Sequence, residues 1–187
     1  MTAPENAVRE VEERLQQGIR MMTSDPQAAM RWLLQLANGK DNSSCGIHQL
    51  HSSHRLMFEL ALALVSTSSM VGASAAPVRV EWSIRAIQTM ESVLDVGTPQ
   101  LASIYASHAA GLMQIIRQQR SPLSAPAPDE HGSEKREREI LAMSKQCIAA
   151  LNAAAAIRAV CYGDRDPIYI STRRAVDTAK RELKQND

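Results

Sequence analysis

From Ile140 to Cys161 the positions Ile140, Met143, Cys147, Ala150, Ala154, Ile157 and Cys161 recur at steps of three and four residues, a heptad stripe held for three heptads. That spacing places all seven side chains on one side of a helix, and a second helix must lie along them for the stripe to leave water. The stripe is built largely of small side chains, with Ala149, Ala153, Ala155 and Ala156 around it. A partner helix can therefore approach closely, while each contact buries less area than a leucine seam would. Two partners fit: another helix of the same chain, or a helix of a second copy or of another protein. Cys147 and Cys161 stand about 21 Å apart along one helix and cannot bridge to each other, although in a parallel dimer each would face its twin.

The same period runs through the rest of the chain. Val8, Val11, Leu15, Gly18 and Met22 form one helical face; Ser24-Asp25-Pro26 supplies a cap and a proline start for a second helix with Met30, Trp32, Leu33, Leu34 and Leu36, and Asn38-Gly39 ends it. A third helix is expected over about 45–68. A fourth opens at Pro77 with a stripe of Ile84, Ile87, Met90 and Leu94, and a fifth follows Thr98-Pro99 with Leu101, Ile104, Tyr105, Leu112, Ile115 and Ile116. Aromatic residues make up 3% of the chain and strand-forming clusters are missing, whereas Ala, Leu, Met, Gln, Glu and Arg dominate. The fold class is all-α. At 187 residues the chain can bury a proper core.

The segment 121–133, "SPLSAPAPDEHGS", has three prolines and no apolar period, so it reads as a flexible linker. The expected organisation is a bundle of about five helices over 1–120, this linker, and a C-terminal pair over 134–187 that packs on the bundle or on a second copy. The pair is a long sixth helix stopped by Gly163 and a shorter seventh capped by Asp166-Pro167.

Localised chemistry has one candidate region, "CGIHQLHSSHR" at 45–55, which holds Cys45, His48, His51 and His54 at three-residue steps. Residues three apart are ~60° apart around a helix, so the four spiral away from any single face and at most two could meet one ion. Read as helix, the wheel puts His54 near the apolar stripe and His51 on its flank. A zinc site needs three or four ligands, and His51 and His54 would have to recruit a further one such as His108. Core and surface histidines are the simpler reading. A Cys45–His108 nucleophilic pair lacks any neighbouring device to lower the thiol pKa. No glycine-rich phosphate loop or ExxH pair occurs.

Charge excludes a strong field: 21 Lys and Arg stand against 20 Asp and Glu, a net charge of +1. Arg173, Arg174, Lys180 and Arg181 could contact nucleic acid, but they are interspersed with Asp177 and Glu182 and have no aromatic platform beside them. Three cysteines without framework spacing, and no charged-then-apolar leader, give the expectation of a reduced, cytoplasmic protein. The apolar run at 56–78 carries Glu59 and many Ser and Ala residues, so no membrane span is expected there. The expected function is that of a non-enzymatic interaction or assembly protein, a regulator, chaperone or assembly factor of bacterial or phage type, acting through helical surfaces and self-associating or binding a protein partner without a cofactor. The alternatives are a helical coat or nucleic-acid-packaging subunit, and a small helical enzyme or metal-binding protein using the His48–His54 region.

Overall fold

The repeated cap-then-proline pattern does set the helix starts. In the computed structural model, which describes residues 3–39, 50, 54–93, 97–121 and 130–184, Ala28 N donates to Asp25 Oδ1 at 2.9 Å and Pro26 occupies the first helical turn. Thr98 Oγ1 accepts from Leu101 N at 3.2 Å ahead of Pro99, and Asp166 Oδ1 accepts from Ile168 N at 2.7 Å ahead of Pro167. Each side-chain oxygen satisfies a first-turn amide that has no helical acceptor. Gly39 (φ 59°) and Gly163 (φ 87°) end helices in the left-handed conformation that a Cβ disfavours.

Among the described residues seven α-helices result: α1 Ala3–Met21, α2 Pro26–Asn38, α3 Arg55–Val71, α4 Ala76–Val93, α5 Pro99–Arg120, α6 Glu130–Tyr162 and α7 Pro167–Lys184. A single 3-10 turn, Ala73–Ala75, joins α3 to α4, and no strand occurs among the described residues. The fold is all-α.

Packing divides the chain into two units, 1–93 and 94–187. The break therefore falls between α4 and α5, not in 121–133. α5 lies against α6, Ala109 of α5 meeting Cys147 and Gly97, just ahead of α5, meeting Cys161, so the fifth helix leaves the expected N-terminal bundle and becomes part of a three-helix C-terminal unit. α6 starts at Glu130, ahead of the expected Ser133, and residues 122–129 lie outside the described residues.

In the N-terminal unit α1 and α2 approach closely at Gly18. A Cβ there would stand 2.6 Å from Leu33 Cδ2 and 2.9 Å from Trp32 Cδ1, so only glycine fits. Trp32 donates its Nε1 to Arg14 O at 3.0 Å, and Arg55 at the start of α3 pairs with Glu12 of α1 at 2.7 Å. The α3 core is Leu56, Leu60, Leu64 and their small neighbours. On α4 the inward positions are Ala76, Arg79, Trp82, Ser83, Ala86, Ile87 and Met90. Ile84, expected in that stripe, is exposed, because the buried side of α4 runs through Arg79, Trp82, Ser83, Ala86, Ile87 and Met90 and position 84 lies well round the helix from it.

Arg79 is only 5% exposed and, among the described residues, has no carboxylate beside it. Its Nη2 donates to Ser68 O at 2.8 Å in the last turn of α3, a carbonyl that also accepts from Gly72 N and stands at the negative end of the helix. Its Nε finds no partner, and desolvation depresses the guanidinium pKa.

Candidate functional site

Three residues of the histidine-rich region, Cys45, His48 and His51, lie outside the described residues. His54 is placed, and it does not sit on a helical stripe. Its backbone is extended (φ −67°, ψ 139°) and its ring caps α3, Nδ1 accepting from Leu56 N at 3.2 Å. The wheel failed there because it assumed a helix running through 45–55, whereas α3 begins at Arg55. Glu59 pairs with Arg55 at 3.1 Å. His108 is buried on α5. Among the described residues no group of three or more His, Cys, Asp or Glu could hold a metal ion.

The heptad stripe of α6 is covered within its own unit. Cys147 is fully buried and its Sγ donates to Ala109 O of α5 at 3.5 Å. Burial pushes its thiol pKa up to about 11. Ala150 and Ala154 on the same side are buried, and Ile157 fills the space at Gly97, whose Cβ would otherwise stand 2.6 Å from Ile157 Cγ1. At the ends the cover thins: Ile140 and Met143 are half-buried, and Cys161 is exposed with Sγ 3.8 Å from Gly97 O. The pairs 147 with 109 and 161 with 97 make α5 and α6 antiparallel. The intramolecular partner has taken the stripe.

α7 covers a second side. Ser144, Leu151 and Ala155 are buried there, and Arg158 Nη1 donates to Thr172 Oγ1 of α7. At the far end Arg117 of α5 binds Glu182 with both Nη2 and Nε (2.8 and 3.3 Å), and Arg120 Nη1 donates to Glu182 O at 3.2 Å, tying α7 to α5.

At ~100° per residue the remaining side of α6 carries Ala142, Ala149, Ala153, Ala156 and Val160. Ala142, Ala149 and Ala156 are exposed, Ala153 is half-exposed, and Val160 is 82% exposed, among the barest apolar side chains of the protein. Leu141, 50% exposed, lies beside the stripe near its start, and Tyr162 (43%) ends the helix. An amphipathic helix would place charge here. α6 instead carries only Lys145, Gln146, Asn152 and Arg158 as charged or amide side chains through its C-terminal two thirds, and among the described residues it is the one helix long and apolar enough, by length and composition, to cross a membrane; 33% of that apolar window is buried within the protein. Sequence reading missed this surface because it sought the best single stripe. The signal was there: 142, 146, 149, 153, 156 and 160 step by four, three, four, three and four, a second heptad register offset from the first and apolar except at Gln146.

The basic candidates separate by side. Thr172, Val176, Ala179 and Leu183 set the inward side of α7; Arg173, Arg174 and Arg181 are exposed on the outward side with Asp177 among them, while Lys180 is half-buried on the flank. Arg181 Nε donates to Asp177 O at 3.3 Å. With a carboxylate inside the cluster, the potential that would draw phosphate is diluted.

Compared with known proteins, the chain matches no family model, no curated protein and no solved structure.

Proposed function

We propose that this is a non-enzymatic helical assembly protein that associates with a second copy of itself through the open side of α6. The observation that supports it is the apolar stripe Ala142, Ala149, Ala153, Ala156 and Val160, left uncovered on a helix whose other two sides are already packed. A solvent-facing helix side that is apolar except at Lys145 and Gln146 gives up hydrophobic stabilisation that a partner helix would recover, at roughly 25 cal/mol per Å² of apolar area removed from water. Small side chains spaced as a heptad let two such helices come into close contact, and one helix offers the same surface to its twin, as a two-fold dimer requires. Unpaired Cys147 and Cys161 suit a reducing compartment such as the cytoplasm.

Sedimentation equilibrium from micromolar to millimolar concentration tests the reading. The wild-type protein should show concentration-dependent mass, and Ala149→Glu with Ala156→Glu should abolish it without changing helicity, since both positions face solvent in the monomer. A wild-type protein that stays monomeric across that range refutes it, as does a charged variant that associates equally well.

A further inference from the structure

The open side of α6 has a polarity along its length. Positions 149, 153, 156 and 160 hold three alanines and a valine, while one turn before Ala149 the exposed Lys145 and Gln146 stand on its two edges. No Asp or Glu lies three or four residues from Lys145 in either direction, so its own helix gives it no partner. Beyond Val160 the chemistry is the opposite. Gly163 N donates to Ala159 O at 3.0 Å, but among the described residues the carbonyl oxygens of Val160, Cys161 and Tyr162 accept no backbone N–H, and they form the negative end of the helix. The exposed tip that follows, Asp164-Arg165-Asp166, adds one net negative charge. Donors therefore stand at one end of the apolar run and acceptors at the other.

A helix that packs on its own copy runs either parallel or antiparallel to it. In the parallel arrangement each residue meets its own number. Val160 then faces Val160, and Lys145 and Gln146 of both copies gather at one level, roughly 25 Å from the helix ends that could receive them. In the antiparallel arrangement that centres the apolar run on itself, Ala149 faces the partner's Val160 and Ala153 faces the partner's Ala156. The bulkiest side chain of the run thus meets one of the smallest. The same register, set by the apolar residues alone, brings Lys145 and Gln146 to the level of the partner's Gly163 and the partner's Asp164. A cation beside a helix C-terminus is favoured, and the two helix dipoles oppose.

We infer that the second copy lies antiparallel on α6, the two-fold axis passing at the level of Ala154 and Ala155, with Lys145 of each copy set against the negative end of the partner's helix and the partner's Asp164. The inference rests on the self-association proposed above and adds to it a direction, a register and a charge pair. Both ends of the contact are closed by groups of opposite sign, which fixes the register that a run of alanines by itself would leave free to slide.

The experiment uses the full-length protein with Cys45→Ser, Cys147→Ala and Cys161→Ser, to which Ala149→Cys or Val160→Cys is added; both positions are exposed. After mild oxidation at a concentration where sedimentation shows association, either variant alone should run as a monomer on a non-reducing gel. Like positions in this register stand ~16 Å apart along the axis, too far for a disulfide, whereas an equimolar mixture of the two variants should give the linked dimer. A charge exchange in the otherwise unaltered protein reads the same register. Lys145→Glu and Asp164→Lys should each weaken association about tenfold at low salt, and the double variant should recover most of that loss. If each cysteine variant links to itself and mixing adds nothing, the pairing is parallel: the inference is overturned while self-association stands. No link in any sample, or a double variant no tighter than the single ones, overturns it equally. A wild-type protein that stays monomeric removes both the inference and the reading beneath it.

Discussion

Replacing Arg79 by methionine should leave the protein as stable as before or make it more stable by about 1–2 kcal/mol, although the change deletes a buried hydrogen bond. The two side chains follow the same path for four atoms, and the methionine methyl takes the place of the Nε that has no partner. On the loss side is the bond from Nη2 to Ser68 O, 2.8 Å long and charge-assisted, for which ~1.5–3 kcal/mol is typical. To this the favourable position of a cation at the end of α3 adds ~0.3–1 kcal/mol. Ser68 O is not orphaned by the change, because Gly72 N already donates to it at 3.2 Å. On the gain side, relieving a buried guanidinium that has no carboxylate, its unsatisfied Nε included, returns on the order of several kcal/mol. Arg79→Ala is the control: it removes the same charge but also the aliphatic stem, at ~0.8 kcal/mol per methylene plus a cavity term, so it should be less stable than Arg79→Met by about 2–3 kcal/mol. Urea denaturation followed by circular dichroism measures both, and an unchanged m-value shows that the shift in midpoint reports stability. If Arg79→Met loses more than about 2 kcal/mol, the guanidinium is a net stabiliser and the reasoning on its burial is wrong.

Two further outcomes follow from single contacts. Gly18→Ala should destabilise by about 1–2 kcal/mol in thermal unfolding, the clash with Leu33 and Trp32 outweighing the ~1 kcal/mol that alanine gains in a helix; a more stable variant would show that the helices can part without loss. The thiol of Cys147 ionises less readily folded than unfolded, its pKa rising from 9.0 to about 11, so its contribution to stability is intact below about pH 9 and disappears as pH climbs through 11. Cys147→Ala should flatten the fall in denaturation midpoint between pH 9 and 11, and an equal fall in both proteins would exclude Cys147 as a source.

Helix positions were legible in the chain because their determinants are local. Asp25-Pro26, Thr98-Pro99 and Asp166-Pro167 cap and start their helices through bonds spanning two or three residues. His54 shows the limit of such reading. Its ring serves as a cap, which a wheel drawn through 45–55 could not reveal, because the wheel presupposes the helix it is meant to test. A groove between α3 and α4, lined by Trp82, was invisible for another reason: Met57 and Ala61 line it from a different helix, and no spacing within α4 records what lies across it.

α6 marks the division most clearly. Its sequence determined that it is a helix and that its small apolar residues fall into two heptad registers, since angular position follows from residue spacing alone. Which register is buried was decided by the tertiary structure, when α5 brought Ala109, and the segment ahead of it Gly97, to Cys147 and Cys161 and left Ala149, Ala156 and Val160 facing water. Apolar stripes are non-directional: each states that a partner is wanted, and only the folded chain names the one it receives.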